Sequence, residues 1–178
     1  MRLLSCAILF AASTLSLADE AKPDAGFELL FNGKDLTGWK QKGGKDSLAG
    51  KTEAHNGRFK VKDGELVIDP SVKGDVRIET EREFAKDFTI QFEFKPDAKC
   101  NNDLFIRGQK FDLSKANVKN MKDGEWNPIE ISLKDGKIEF KVNGESVRSA
   151  TTKVEKSTLE IRAEFGAIQI RKLQVKEG

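Results

Sequence analysis

The sequence contains no tyrosine, a single histidine, two cysteines and four prolines, and neither sign of charge predominates, with 31 basic against 29 acidic side chains. Each scarcity excludes something. Zinc centres draw three or four ligands from histidine, cysteine and carboxylates, so a structural or catalytic zinc is close to excluded. Cys6 lies in the apolar N-terminal stretch, and beyond it Cys100 stands alone, so no intramolecular disulfide can staple the fold. Stability has to come from the core. With the two signs interleaved along the chain, no basic patch points to nucleic acid.

No apolar run is long enough to span a bilayer. The stretch from Leu3 to Leu17 carries an apolar segment of about half the required length, follows Arg2, and ends at Leu17-Ala18 before Asp19 and Glu20. Small residues stand at the −3 and −1 positions of a cut after Ala18. Residues 1–18 are therefore expected to be a bacterial-type signal peptide, which places the protein in the periplasm or outside the cell with no membrane partner after cleavage. A lipoprotein box at Leu3-Leu4-Ser5-Cys6 is the alternative, disfavoured because most of the apolar run follows the cysteine. Residues 19–178 are long enough to bury one core as a single domain. Without Arg2 their basic residues number 30 against 29 acidic, a net charge of +1.

Alternating apolar and polar runs separated by Asn-Gly and Asp-Gly pairs recur along the chain, the pattern of antiparallel strands joined by tight turns. Asp63-Gly64 pairs Val61 with Leu66 and Phe59 with Ile68. A meander through Asp135-Gly136 and Asn143-Gly144 aligns Ile131, Phe140 and Val147, with Glu130 opposite Lys141 and Glu139 between Ser132 and Arg148. Further strands are expected over 27–31, 76–80, 88–94, 104–107, 159–163 and 167–175, the last with a bulge near Arg171 and Lys172 where the alternation slips by one. Residues 40–57 read as a loop, and 109–123 as irregular. About ten short strands favour an all-β sandwich or jelly roll of two antiparallel sheets.

Leu30-Phe31-Asn32-Gly33-Lys34-Asp35-Leu36-Thr37-Gly38-Trp39 resembles the opening motif of the 3-keto-disaccharide hydrolase family. Asp63-Gly64-Glu65-Leu66, Asp87-Phe88, the run from Asn101 to Gly108, Gly124-Glu125-Trp126-Asn127, Val142-Asn143-Gly144 and Ile168-Gln169-Ile170-Arg171 follow in the family's order. The resemblance implies a concanavalin A-like jelly roll, a carbohydrate ligand and sugars oxidised at carbon 3. Two departures stand out. The family's Tyr-Glu-x-Gln-x-x-Asp strand is missing after Arg107-Gly108, and Glu164-Phe165-Gly166 replaces its Asp-His-Gly.

A carbonyl at carbon 3 acidifies the proton on carbon 2, so a base, an enolate-stabilising group and a proton donor suffice to break the glycosidic bond by elimination, with water adding afterwards. Alternation places Gln91 and Glu93 on the face opposite Phe92 and, with Leu104, Ile106 and Ile161 pointing inward, adds Asp103, Arg107, Arg162 and Glu164 to that same outer face, where they are expected to line one cleft. Glu93 or Asp103 is the candidate proton-transferring carboxylate, Arg107 the candidate oxygen-binding cation, and Gln91, Arg162, Glu164 and Trp39 the candidate substrate contacts. The bland reading of each is a solvated charge on a sheet's outer face, since 34% of residues are charged. Trp126 is read as packing beside a turn, His55 as a turn residue, and Cys100 as a small buried apolar side chain. No cofactor is called for; a divalent cation stays open at Asn101-Asn102-Asp103, although three adjacent side chains rarely converge on one ion. The alternatives to an enzyme on 3-keto-glycosides are a non-catalytic carbohydrate-binding module that lost the catalytic strand and a structural envelope protein.

Overall fold

In the computed structural model, residues 22–114 and 118–178 are described; the expected signal peptide lies outside them. Fourteen strands follow one another: β1 (Glu28–Leu29), β2 (Trp39–Gln41), β3 (Glu53–Ala54), β4 (Phe59–Lys62), β5 (Glu65–Ile68), β6 (Val76–Thr80), β7 (Phe88–Pro96), β8 (Asn101–Ile106), β9 (Gln109–Leu113), β10 (Asn127–Lys134), β11 (Lys137–Val142), β12 (Glu145–Thr151), β13 (Glu160–Phe165) and β14 (Ile168–Glu177). No helix among the described residues is long and apolar enough to cross a membrane.

The strands form two antiparallel sheets, a jelly-roll sandwich. One has nine strands in the order β12-β11-β10-β7-β14-β5-β4-β3 with β1 beside β14, and the other five in the order β2-β6-β13-β8-β9. The alternation dictates this layering. Along β7, Phe88, Ile90, Phe92 and Phe94 are buried while Thr89, Gln91 and Glu93 are not, and Ile129, Ile131 and Leu133 of β10 repeat the pattern beside them. Burying one face of each sheet against the other removes these side chains from water at about 25 cal/mol per Å² of apolar surface.

The β4–β5 register is as the turn predicts, with Phe59 opposite Ile68 and Val61 opposite Leu66. The β10–β11 pairing likewise sets Ile131 against Phe140 and Glu130 against Lys141. The next hairpin departs from expectation: Phe140 faces Arg148 and Glu139 faces Ser149, because the register shifts between Phe140 and Lys141. A bulge in β12 leaves Val147 as the extra residue, no longer opposite Phe140 though still packed against the core. Two segments expected to lack structure contain strands: β2 runs into 40–57, β3 falls within it, and β9 falls within 109–123. Each is short or lies at a sheet edge, where periodicity is weakest.

Trp39 is wholly buried, and its indole Nε1 donates to the Leu30 carbonyl at 2.7 Å. It is a core residue, which corrects its reading as a substrate contact. The alternation that opens β2 turns its ring inward.

Candidate functional site

The outward side chains of the nine-stranded sheet stand in cross-strand rows fixed by register. In the first row Gln174 of β14 lies beside Gln91 of β7, Gln91 beside Glu130 of β10, and Glu130 beside Lys141 of β11. These four are hydrogen-bonded in sequence: Gln174 Nε2 donates to Gln91 Oε1 at 3.4 Å, Gln91 Nε2 to Glu130 Oε2 at 3.0 Å, and Lys141 Nζ to Glu130 Oε1 at 3.0 Å. Asp24 closes one end of the row, its Oδ2 accepting from Gln174 Nε2 at 2.6 Å.

The second row pairs Glu93 with Arg171. Between Arg171 and Gln174 the β14 register shifts against β7, and Lys172 takes a left-handed φ of 53°. This is the bulge announced by the slip in apolar alternation. Its consequence is chemical: the extra residue brings two successive side chains to one carboxylate. Arg171 Nε donates to Glu93 Oε2 at 2.5 Å and Lys172 Nζ to Glu93 Oε1 at 2.8 Å. Partial burial would raise the Glu93 pKa, but the Lys172 ammonium and Arg171 guanidinium outweigh it and hold the carboxyl below its ordinary range. The hydrogen bonds from Gln91 and Lys141 lower Glu130 in the same way, and Glu130 in turn raises Lys141.

Between these rows runs a groove of about 660 Å³, lined by Gln91, Glu93, Glu130, Lys141, Lys172 and Gln174. Against Arg171 of the second row stands Trp126, half-buried, with the Arg171 Cζ 3.9 Å and the Lys95 Nζ 4.9 Å from its ring centroid. The groove offers two glutamate carboxylates, two lysine amines and two amides on one face. Such a set can bind a polyhydroxylated ligand, remove a proton and neutralise a developing oxyanion.

The other expected site residues lie elsewhere. Asp103, Arg162 and Glu164 do come together, but on the five-stranded sheet, whose outer face points away from the groove. Asp103 is fully buried beneath Arg162, whose Nη1 stands 2.8 Å from it and 2.9 Å from Glu164, while Nε and Nη2 grip Asp75 at 2.7 and 2.6 Å. Asp75 and Asp103 together raise the already high pKa of Arg162. Lys110 covers the other side of Asp103 at 3.4 Å. Glu93 and Asp103 therefore cannot share a ligand, because the core separates their sheets. The corrected expectation is that the two carboxylates line one cleft.

Arg107 also has a different place. It occupies the turn between β8 and β9 with φ 50°, is 7% exposed, and donates from Nε to Val154 O at 2.5 Å and from Nη1 to Phe84 O at 3.3 Å and Lys86 O at 3.4 Å. Its guanidinium ties two loops together through their carbonyls. Nor do Asn101, Asn102 and Asp103 converge. Asn102 is fully buried, donates to Phe165 O at 2.9 Å and accepts from Glu164 N at 2.8 Å. Asp103 points to the opposite face, as adjacent strand residues must. Cys100 is buried as expected, its thiol pushed up to about 12, chiefly by desolvation. His55 sits in a turn, with Nε2 2.9 Å from the Arg77 carbonyl.

Sequence reasoning reached Gln91 and Glu93 and passed over Glu130, Lys141, Lys172, Gln174 and Trp126. The β10–β11 register already set Glu130 against Lys141, and the slip at Arg171 marked the bulge. Missing was the neighbour relation of β7 to β10 and β14, which no local pattern encodes.

Solved structures share this fold. A protein of Parabacteroides distasonis ATCC 8503 assigned as a glycosyl hydrolase superimposes with a TM-score of 0.66 at 19% identity, over 86% of this chain and 94% of its own. The carbohydrate binding module CBM66 from Bacillus subtilis gives 0.57 at 10% identity, over 80% and 97%. A laminarinase from Flavobacterium sp. UMI-01 gives 0.54 at 16% identity, over 85% and 98%. At these identities the likeness concerns the fold. No curated protein matches the sequence. The family model of the 3-keto-alpha-glucoside-1,2-lyase-like domain matches residues 26–120, more than half of the chain. The chain belongs to the 3-keto-alpha-glucoside-1,2-lyase-like domain family.

Proposed function

We propose that this protein is a secreted carbohydrate-active domain that takes a 3-keto-glycoside into the groove of the nine-stranded sheet and cleaves it by elimination. The observation that carries the reading is the pairing of Glu93 with Lys172 at 2.8 Å on the groove wall. Direct glycoside hydrolysis needs one carboxyl kept protonated near neutral pH as the acid. Glu93 and Glu130, the glutamates of the groove, are both shifted the other way. Elimination asks for the opposite, an ionised base beside a cation.

In that reaction the Glu93 carboxylate accepts the proton from carbon 2, and the C–H electron pair moves to place negative charge on the carbon 3 oxygen. Lys172 stabilises this enolate. As the enolate collapses, a double bond forms between carbons 1 and 2, the bond from carbon 1 to the glycosidic oxygen breaks, and Lys141 supplies a proton to the departing oxygen. Water then adds to the unsaturated ketone. Each correctly placed group contributes roughly 10²-fold or more. The segment 1–18 would direct the chain to the periplasm or beyond.

A sugar-binding module is the second reading, favoured by the full charge compensation of Glu93 and Glu130. The two separate in one experiment. The protein is incubated with a 3-keto-glucoside while the absorbance of the conjugated enone and the free leaving group are followed. The proposal predicts turnover that falls about 10²-fold in Glu93→Gln. Saturable binding by calorimetry without turnover means a binding module.

A further inference from the structure

On the same sheet face, beyond the row of Glu93 and Arg171, lies a second cavity of about 500 Å³. Its floor is another cross-strand row: Lys60 of β4 beside Val67 of β5, Val67 beside Gln169 of β14, and Gln169 beside Lys95 of β7. Lys62 stands at its rim. Gln91 in the first groove and Lys95 in the second lie four positions apart on β7, roughly 13 Å along the strand. Trp126 stands beside that row, in contact with Arg171 of the row and with Lys95 of the second cavity.

Lysines outnumber carboxylates in the lining of the second cavity, three to two. The carboxylates are already engaged: Asp97 accepts from the backbone N–H of Lys99 at 2.9 Å and of Ala167 at 3.0 Å, Asp69 takes Lys60 of the floor at 2.8 Å and the Ser71 hydroxyl at 2.6 Å, and Glu65, opposite Lys62, accepts from Gln169 Nε2 at 2.7 Å. Among the described residues Lys62 and Lys95 have no carboxylate within ion-pair distance. Two ammonium groups without a carboxylate partner, one of them over the Trp126 ring, thus line a recess beside the groove.

We infer that this recess is a second subsite that takes an anionic sugar of an oligosaccharide, one bearing a uronate carboxylate or a sulfate ester, with Lys62 and Lys95 reading the charge and Trp126 forming the wall between subsites. The inference rests on the groove being a glycan site. An ammonium to carboxylate or sulfate contact is a charge-assisted hydrogen bond, stronger than a neutral one, and the recess provides two.

The test uses the full protein, an oligogalacturonide, its carboxyl-reduced neutral counterpart of equal length, and a sulfated form of that counterpart. Trp39 is buried in the core, so a change in tryptophan fluorescence on binding reports Trp126. Wild type is expected to bind an anionic ligand about tenfold or more tighter than the neutral one, with a fluorescence change. The double variant Lys62→Ala/Lys95→Ala should lose that preference while keeping neutral-ligand affinity and turnover of a short 3-keto-glucoside. The carboxylated and sulfated arms show which anion is read. Equal affinity for charged and neutral ligands in wild type, or a preference that survives the double variant, overturns the subsite and leaves the first groove standing. Absence of binding by any glycan, together with a blank keto-glucoside assay, overturns the glycan reading and the subsite with it.

Discussion

Lys172 reaches Glu93 at 2.8 Å because β14 carries one residue too many for its partner β7, and that residue sits at φ 53°. A lysine in the left-handed region is strained by about 1–3 kcal/mol. Glycine relieves such strain and removes the ammonium. Lys172→Gly is therefore expected to leave thermal stability unchanged or raise it, while turnover of a 3-keto-glucoside falls at least tenfold. Parallel melting and activity curves read both effects.

Arg107 holds the loops at Phe84 and Val154 together through three backbone carbonyls. Truncating it removes three hydrogen bonds, one of them buried. Arg107→Ala should lower stability in urea by about 1–3 kcal/mol, with ligand affinity at the groove unchanged at a temperature where the variant is folded.

Trp39 fills the core and donates to Leu30 O, so Trp39→Ala should cost about 3–5 kcal/mol. Trp126→Ala removes a half-buried ring from the sheet's outer face. It should cost little stability and should change glycan affinity, measured by calorimetry.

The carboxyls of Glu93, Glu130 and Asp75 are all held below their ordinary range by cationic or amide partners. A carboxyl with a depressed folded-state pKa contributes stability that is full above its unfolded value and is lost as the pH falls through the folded one. Urea midpoints should therefore be flat above about pH 5 and decline below about pH 4.5, where unpaired carboxylates begin to titrate. Lys141→Ala should flatten part of that decline.

Cys100, with its thiol pushed up to about 12 and its Sγ 2.9 Å from the Leu113 carbonyl, should resist a thiol reagent at pH 8 in the native state and react at once in denaturant. Its labelling rate then measures core opening.

Where strands are joined by Asp-Gly or Asn-Gly turns, local chemistry determines register, so Phe59 to Ile68 and Ile131 to Phe140 were readable before any fold was known. The β14 bulge was readable too, since Ile168 and Ile170 give way to Leu173 and Val175. The site was only half legible. Gln91 and Glu93 follow from alternation along β7, but alternation alone does not say which sheet a strand joins, and so Asp103 and Arg162 were placed beside Glu93 when a whole core lies between. Trp39 and Arg107 show the same limit: position in a motif does not reveal whether a side chain turns inward.

The most direct test of the account is exchange at carbon 2. A 3-keto-glucoside in D₂O is followed by proton NMR with the wild-type protein and with Glu93→Gln. If Glu93 is the base, the carbon 2 proton signal is lost faster with wild type than without protein, and the variant shows only the uncatalysed rate. Exchange that proceeds undiminished in Glu93→Gln would contradict the assignment of the base and, with it, the elimination chemistry placed in this groove.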